Sequence, residues 1–287
     1  MEFNIKKLSV EMQASTPTSI GEFPGSTLRG ALIQAMVYRN CESLRYGKCD
    51  TCKDIDCPLK SCFMNKPVNS GHLETNPIII NTDFVQGRTQ ADRVKFSISL
   101  CGDDTSILAK EFKRILESGL FLGIPKTEFA LTSLSEDNSI VDLSILDKVY
   151  DEYKDSTVRI SIKTPFITNN KASLAANQTK VIRALTTRTT AMVRTLGIDY
   201  RVPYQQVLED MVGLELIDHK VQKVSIQRKS THHTKYQLLH GEIGEIVMQG
   251  DFSHIYPFLV IASQLSIGKE CTMGFGEFDW EVLDKHE

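Results

Sequence analysis

Two periodicities alternate along this chain in an order that occurs twice, and that order limits the possible folds more than any single motif. FNIKKLSVEM spaces Phe3, Ile5, Leu8 and Val10 in near-alternation, with a phase shift across Lys6 and Lys7, which predicts a half-buried strand. GSTLRGALIQAMVYRN places Leu28, Leu32, Ala35 and Met36 at helical spacing, with Ser26 as its N-cap. A short apolar run at Ile78–Ile80 and then VKFSISL, with Val94, Phe96, Ile98 and Leu100 on one face, predict two strands. SILAKEFKRILESG turns Ile107, Leu108, Phe112, Ile115 and Leu116 inward and stops at Gly119, after which KTEFALTSLS returns as a strand.

The second half repeats the scheme. STVRISIKTPF reads as a strand, SLAANQTKVIRALTTRTTAMVRTLG as a long helix, HKVQKVSIQ and GEIGEIVMQG as two strands, SHIYPFLVIASQL as a helix and GEFDWEVL as a last strand. Strand–helix–strand–strand–helix–strand is the order of the split β-α-β unit. The expected fold class is therefore α+β, with two ferredoxin-like (RRM-like) domains in tandem; another tandem α+β topology would share the patterning. At about 100–200 residues per domain, a chain of 287 residues holds two. The expected halves are 1–136, carrying a cysteine-rich insertion at 41–65, and 137–287, carrying a glycine-rich loop. The start, MEFNIKKLSV, has no long apolar core followed by small residues, and no window reaches a membrane-helix length of apolar residues, so a cytoplasmic protein is expected.

Five of the seven cysteines crowd into the insertion, spaced Cys41-x7-Cys49-x2-Cys52-x4-Cys57-x4-Cys62. Disulfides do not persist in a reducing compartment, and a domain of this size does not depend on them. Short loops between thiolates allow four of the five to converge on one tetrahedral zinc. An iron–sulfur cluster and a set of free surface thiols are the competing readings. No His, Asp or Glu at ligand spacing supplies an open catalytic position, so the expected zinc is structural and no catalytic metal is expected.

The net charge is only −3, which argues against a general polyanion binder and shifts attention to the distribution. From Ser156 to Ile198 there is no acidic residue, while Arg159, Lys163, Lys171, Lys180, Arg183, Arg188 and Arg194 all fall there. On the long helix, Val181, Leu185, Met192 and Leu196 cluster on one side, and Lys180, Arg183 and Arg194 are expected on the other. A second acid-free stretch, His219–Gly241, holds Lys220, Lys223, Arg228, Lys229 and Lys235 among four of the seven histidines. Solvated basic faces normally interleave acids; here none occurs, and phosphate binding is the stronger reading. A nearby phosphate backbone would raise the imidazole pKa values into the physiological range, as acid–base work on RNA requires. From Glu242 onward, acids outnumber bases nine to two, so the positive potential is local.

SIGKECTMGFGEF sets Gly268, Gly274 and Gly276 around Lys269, a combination that lets backbone approach phosphates closely. The order is not that of a Walker loop, and no helix opens after it as in a dinucleotide fingerprint. By itself, a GxG pair near a C-terminus most often makes a turn.

FPGSTLRGAL, the cysteine cluster ending in CPLKSC, SISLCG with its helix, and HGEIGEIVMQGDFSHIYPFLVIASQLSIGKECTMGFGEF together resemble the CRISPR-associated RAMP-superfamily endoribonucleases that process precursor CRISPR RNA. The likeness spans nearly the full chain, its last motif is the most specific, and the cysteine-bearing insertion occurs in a subset of that family. The resemblance implies tandem ferredoxin-like domains and a repeat-RNA partner, CRISPR repeat RNA or its processed crRNA, with other CRISPR effector subunits as further partners. It also implies metal-independent cleavage in which the RNA 2′-hydroxyl attacks, leaving a cyclic phosphate and a 5′-hydroxyl. Many members carry a histidine in or near the first helix, whereas this chain has none before His72. Cysteine-bearing relatives show a Ser-x-Arg-Gln-like segment before the G-x-x-G strand; here that place reads STHHTKYQLLHG, so Ser230, His232, His233 and Lys235 fall where an RNA-facing polar cluster belongs. His233 or His232 is the expected acid/base, with Lys235, Lys229 and Arg228 stabilising charge. Tyr38 and Arg39 on the first helix are the runners-up, and His240 is read as structural. The HVGK common at the glycine loop of relatives reads SIGK here, so Ser266 supplies no proton.

Two further readings stand beside the nuclease. A non-catalytic RNA-binding RAMP subunit of a CRISPR ribonucleoprotein accounts for the missing first-helix histidine. A zinc-stabilised DNA-binding regulator is weaker, because the basic segments and the cysteines lie in different halves.

Overall fold

The computed structural model of the chain describes residues 1–41, 57–63, 75–84, 90–103, 105–169, 172–229 and 236–283. The architecture is α+β with two antiparallel sheets. The chain divides into two compact units, Phe3–Val141 and Asp142–Glu287 with Met1–Glu2.

The first unit contains β1 (Glu2–Ser19), α1 (Gly25–Asn40), α2 (Pro58–Phe63), β2 (Ile78–Thr82), β3 (Gln90–Cys101), α3 (Thr105–Glu117), β4 (Leu120–Leu122) and β5 (Thr127–Asp142). Its sheet order is β2-β3-β1-β5-β4, which is the interlocked order of a split β-α-β unit with β4 added at one edge. The phase shift at Lys6–Lys7 is real: Phe3 and Ile5 are buried, then Leu8, Val10, Met12 and Ala14, opposite Ile98, Phe96 and Val94 of β3. Leu28, Leu32 and Met36 of α1 and Leu108, Phe112, Ile115 and Leu116 of α3 close the core from one side.

Two local expectations differ here. Helix α1 starts at Gly25 without a side-chain cap, because Pro24 is already helical at φ −72° and its carbonyl accepts the Leu28 amide at 2.8 Å. Ile107 is 69 % exposed, one position off the Leu108–Phe112–Ile115 stripe that the helical period turns inward.

The second unit contains β6 (Ser156–Phe166), α4 (Thr179–Thr195), α5 (Gln205–Val212), β7 (Glu215–Lys229), β8 (Tyr236–Gly250), α6 (Tyr256–Ser263) and β9 (Phe278–Leu283). The sheet order β7-β8-β6-β9 repeats the same interlocked topology. Val181, Ile182, Leu185, Met192 and Val193 of α4, with Phe258, Leu259 and Ile261 of α6, share the buried core with Val158, Ile160, Ile246, Met248 and Phe278. The last β6–β8 pair is Phe166 with Glu242. Beyond it β7 and β8 continue alone from Val224–Gly241 to Lys229–Tyr236, a two-stranded ribbon of six residue pairs. At about 3.3 Å per residue the ribbon extends about 20 Å past the rest of the sheet. Helices α2 and α5 and edge strand β4 are additions to the sequence expectation; all three are short and carry little periodic signal. Among the described residues, no helix is long and apolar enough to cross a membrane.

Candidate nucleic-acid interface

The glycine-rich loop is built against the end of β6. Lys269 N–H donates to the Ile167 carbonyl at 2.9 Å, Ile267 N–H to Gly276 at 2.9 Å and Gly276 N–H to Pro165 at 3.2 Å. Thr164 Oγ1 donates to the Gly274 carbonyl at 2.7 Å and accepts the Glu277 amide at 2.8 Å. Gly268 has φ +86°, and a Cβ there would come within 2.6 Å of the Ile167 carbonyl and 3.0 Å of the Phe166 ring. A Cβ on Gly276, at φ +74°, would overlap the Ile267 carbonyl. The faces these glycines leave open are thus filled by protein backbone, and Gly274 and Gly276 are buried. Their requirement is close packing of the loop onto β6, and only Lys269 at its tip is exposed. Beneath it, burial pushes the Cys271 thiol up, partly opposed by the field of Arg188.

The acid-free run of the sequence is not acid-free in space. Arg159 pairs with Glu281 of β9 at 2.5 Å, and Lys163 with Asp279. Lys180, expected on the exposed side of α4, is buried, and its Nζ lies 2.6 Å from Glu242 Oε2. It also donates to the Ala172 carbonyl at 2.5 Å, while both Glu242 oxygens accept the Leu174 amide at 3.1 and 3.2 Å. Lys180 lies in the first turn of α4, where its Nζ is closed in by the Ala172 carbonyl, Glu242 and the Phe166 ring. Arg188 is buried as well and donates Nε–H to the Leu265 carbonyl at 3.0 Å. Lys180 and Arg188 are therefore internal anchors, not part of a solvent-facing basic stripe. Arg183 and Arg194 are exposed, with exposed Thr187 between them.

On the sheet, Lys220 and Lys223 of β7 are exposed, and Val224 and Ile226 are buried. Ser225 Oγ and His240 Nδ1 are 2.9 Å apart across the ribbon. Arg228 and Lys229 lie on β7 opposite Gln237 and Tyr236, next to the ribbon's tip. Ser230, His232, His233 and Lys235 lie outside the described residues, as do Lys171, Cys49 and Cys52. The sheet face bearing Arg159, Ser161 and Lys163 also carries Glu245, Asp279 and Glu281, so its charge is balanced and it makes a poor phosphate surface. Lys220 is in register with Glu245 on this same face; other exposed cations of the unit include Arg183 and Arg194 of α4, Lys223 of β7, Lys269 at the loop tip, and Lys148, Lys154 and Arg201.

In the first unit, Cys57 and Cys62 are buried in the same core cluster as Phe63, and half-buried Cys41 packs against it. Among the described residues, no three His, Cys, Asp or Glu side chains converge as a metal site. Tyr38 is 92 % exposed on the last turns of α1. Neighbouring Arg39 reaches Glu111 at 3.5 Å and donates to Ser118 Oγ at 3.1 Å. The residue that sequence reasoning passed over is Glu242. Its signal was present, since it is the first acid after the second acid-free stretch.

A family model described as AF_1859_N, an N-terminal domain, matches residues 3–161, more than half of the chain. No curated protein matches it by sequence. Among solved structures, a Cas6 product complex is similar with a TM-score of 0.59 at 10 % identity, over 96 % of this chain and 100 % of that one. Thermus thermophilus Cas6 gives 0.57 at 10 % identity, over 97 % and 99 %. A crystal structure of Cas6b gives 0.51 at 16 % identity, over 97 % and 99 %. These likenesses show the fold, which is that of Cas6 across almost the whole length. With that fold, and with residues 3–161 matched by its model, the chain belongs to the AF_1859_N family.

Proposed function

We propose that this protein is a metal-independent endoribonuclease that cleaves CRISPR repeat RNA by 2′-hydroxyl attack and holds the resulting crRNA. The observation that carries the reading is the Cas6 fold over nearly the full chain, combined with exposed Arg183, Arg194, Lys223 and Lys269 on one unit. One of the similar structures is itself a Cas6 product complex. Exposed cations on α4, at the base of the ribbon and on the loop tip suit an RNA backbone better than a sheet face with balanced charge.

In this reading His233 or His232 takes the 2′-hydroxyl proton and returns one to the 5′-oxygen, with Lys235, Lys229 and Arg228 lowering the energy of the phosphorane-like charge. Tyr38 is the alternative proton-transfer group. Further CRISPR effector subunits are the protein partners this role would bring. For the cysteines, a set of thiols with no oxygen or nitrogen donor fits a closed structural zinc. Four of Cys41, Cys49, Cys52, Cys57 and Cys62 would be its ligands; Cys41, Cys57 and Cys62 touch one core cluster without converging on a common point. The ion would fasten the insertion to the first unit and supply no chemistry to the cut.

The test is incubation with a panel of end-labelled CRISPR repeat RNAs, hairpin-forming and unstructured, in EDTA. It is run beside His232→Ala/His233→Ala and a substrate deoxy-substituted at the cut. A single cut by the parent, lost in both controls, supports the nuclease. Tight binding without a cut moves the assignment to the non-catalytic RNA-binding subunit, which the absence of histidine before His72 favours. Absence of binding to any RNA in the panel overturns both.

A further inference from the structure

Building on the RNA reading, we infer that the buried Lys180–Glu242 pair is a positioning device that holds the glycine-loop end of the RNA site in a single register. Three segments meet at this pair. Lys180 lies in the first turn of α4, Glu242 lies on β8 where the projecting ribbon begins, and the chain at 172–174 is gripped by both, through the Ala172 carbonyl and the Leu174 amide. The side chains are only 6 % and 9 % exposed, so neither faces a bound nucleic acid.

The reach of the pair continues through Phe166. Lys180 Nζ sits 5.9 Å from the centre of that ring, and the ring edge packs where Gly268 lacks a Cβ. The next residue, Ile167, accepts the Lys269 amide at 2.9 Å. A displacement at the ion pair is therefore passed by direct contact to Lys269 and, along β8, to the base of the ribbon.

Stability alone does not explain such a pair. Burying two charges is roughly neutral or unfavourable compared with apolar side chains of similar volume. A cation in the first turn also opposes the positive end of the helix dipole. What apolar side chains could not supply is directional bonding to two backbone groups of the chain at 172–174.

The decisive variant is Lys180→Met/Glu242→Leu, which removes both charges and keeps the volume. It is compared with the parent by thermal melting, RNA affinity, single-turnover cleavage at saturating RNA and mapping of the cut at nucleotide resolution. The substrate is the repeat RNA that the parent cuts. The expected result is a retained melting transition, affinity within about 3-fold and a cleavage rate lower by about 10- to 100-fold, as ångström-scale misplacement of reacting groups produces. The cut should also spread to neighbouring phosphates. If the parent binds without cutting, the edges of its RNA footprint are read instead and should blur in the variant.

A folded double variant with the parental rate and a single parental cut, or with parental footprint edges, overturns the inference and leaves the RNA reading intact. A parent that binds no RNA overturns that reading and this inference with it. Should the double variant not fold, Glu242→Gln, assayed below its own melting midpoint, decides by the same readouts.

Discussion

The salt dependence of RNA binding separates the cations on this protein more sharply than affinity does. Each phosphate neutralised on a single strand contributes about 0.7 to the slope of log K against log salt. Arg183 and Arg194 are exposed on one side of α4, eleven residues apart and so separated by about 16 Å along its axis, far enough to meet different phosphates. Removing both as Arg183→Ala/Arg194→Ala should lower the slope by about 1.4. Across 50 to 200 mM salt, that amounts to about a 7-fold smaller loss of affinity than the parent suffers, and about 2.6-fold for either single variant. The buried Lys180–Glu242 pair contributes no net charge to RNA, so Lys180→Met/Glu242→Leu should leave the slope at the parental value. Fluorescence anisotropy with labelled repeat RNA at four or five salt concentrations measures all three. A parental slope in the arginine double variant, or a reduced slope in the Lys180/Glu242 variant, would refute the assignment of exposed and internal cations.

Metal analysis of the purified protein should find about one zinc per chain, and Cys57→Ser/Cys62→Ser should lose it together with several degrees of melting temperature; iron with visible absorbance would point to a cluster instead. Glu136, held between Lys113 and Lys6, has its pKa lowered from 4.5 to about 2. Its contribution is therefore fully present above about pH 4.5 and fades as the pH falls toward 2. Because the side chain is solvent-accessible, the gap in denaturant stability between parent and Glu136→Gln should be under about 1 kcal/mol at pH 6 and close by about pH 2; a gap that widens on acidification contradicts the sign. Two glycines should respond in opposite directions. Gly276→Ala should destabilise by at least about 1 kcal/mol because of its positive φ and the Ile267 carbonyl, whereas Gly30→Ala, in open space on α1, should stabilise by about 0.5–1 kcal/mol, both read by urea unfolding.

Much of the fold was legible along the chain because its signal is local. Alternation in STVRISIKTPF marks the strand that runs from Ser156 to Phe166, and even the slip at Lys6–Lys7 could be read from the spacing of apolar residues. Strand β4, of three residues, was not legible; its existence depends on Leu120–Leu122 meeting Thr127–Phe129 across a turn. The short helix α5 likewise spans too few turns to establish a stripe.

The site followed the same division. Residue types, acid-free runs and the glycine pattern are properties of the sequence, and they singled out the cations of α4, the ribbon and the loop. Which of those cations face solvent was decided by tertiary structure. Glu242, Asp279 and Glu281 are distant in sequence from Lys180, Lys163 and Arg159, and strand pairing or packing brings each pair together. Charge acts through space and is neutralised by whatever folds beside it, so a count along the chain overstates the basic face. The glycines show the same limit: the need for a missing side chain was visible in sequence, but only the packed loop shows that backbone of this same chain occupies the space.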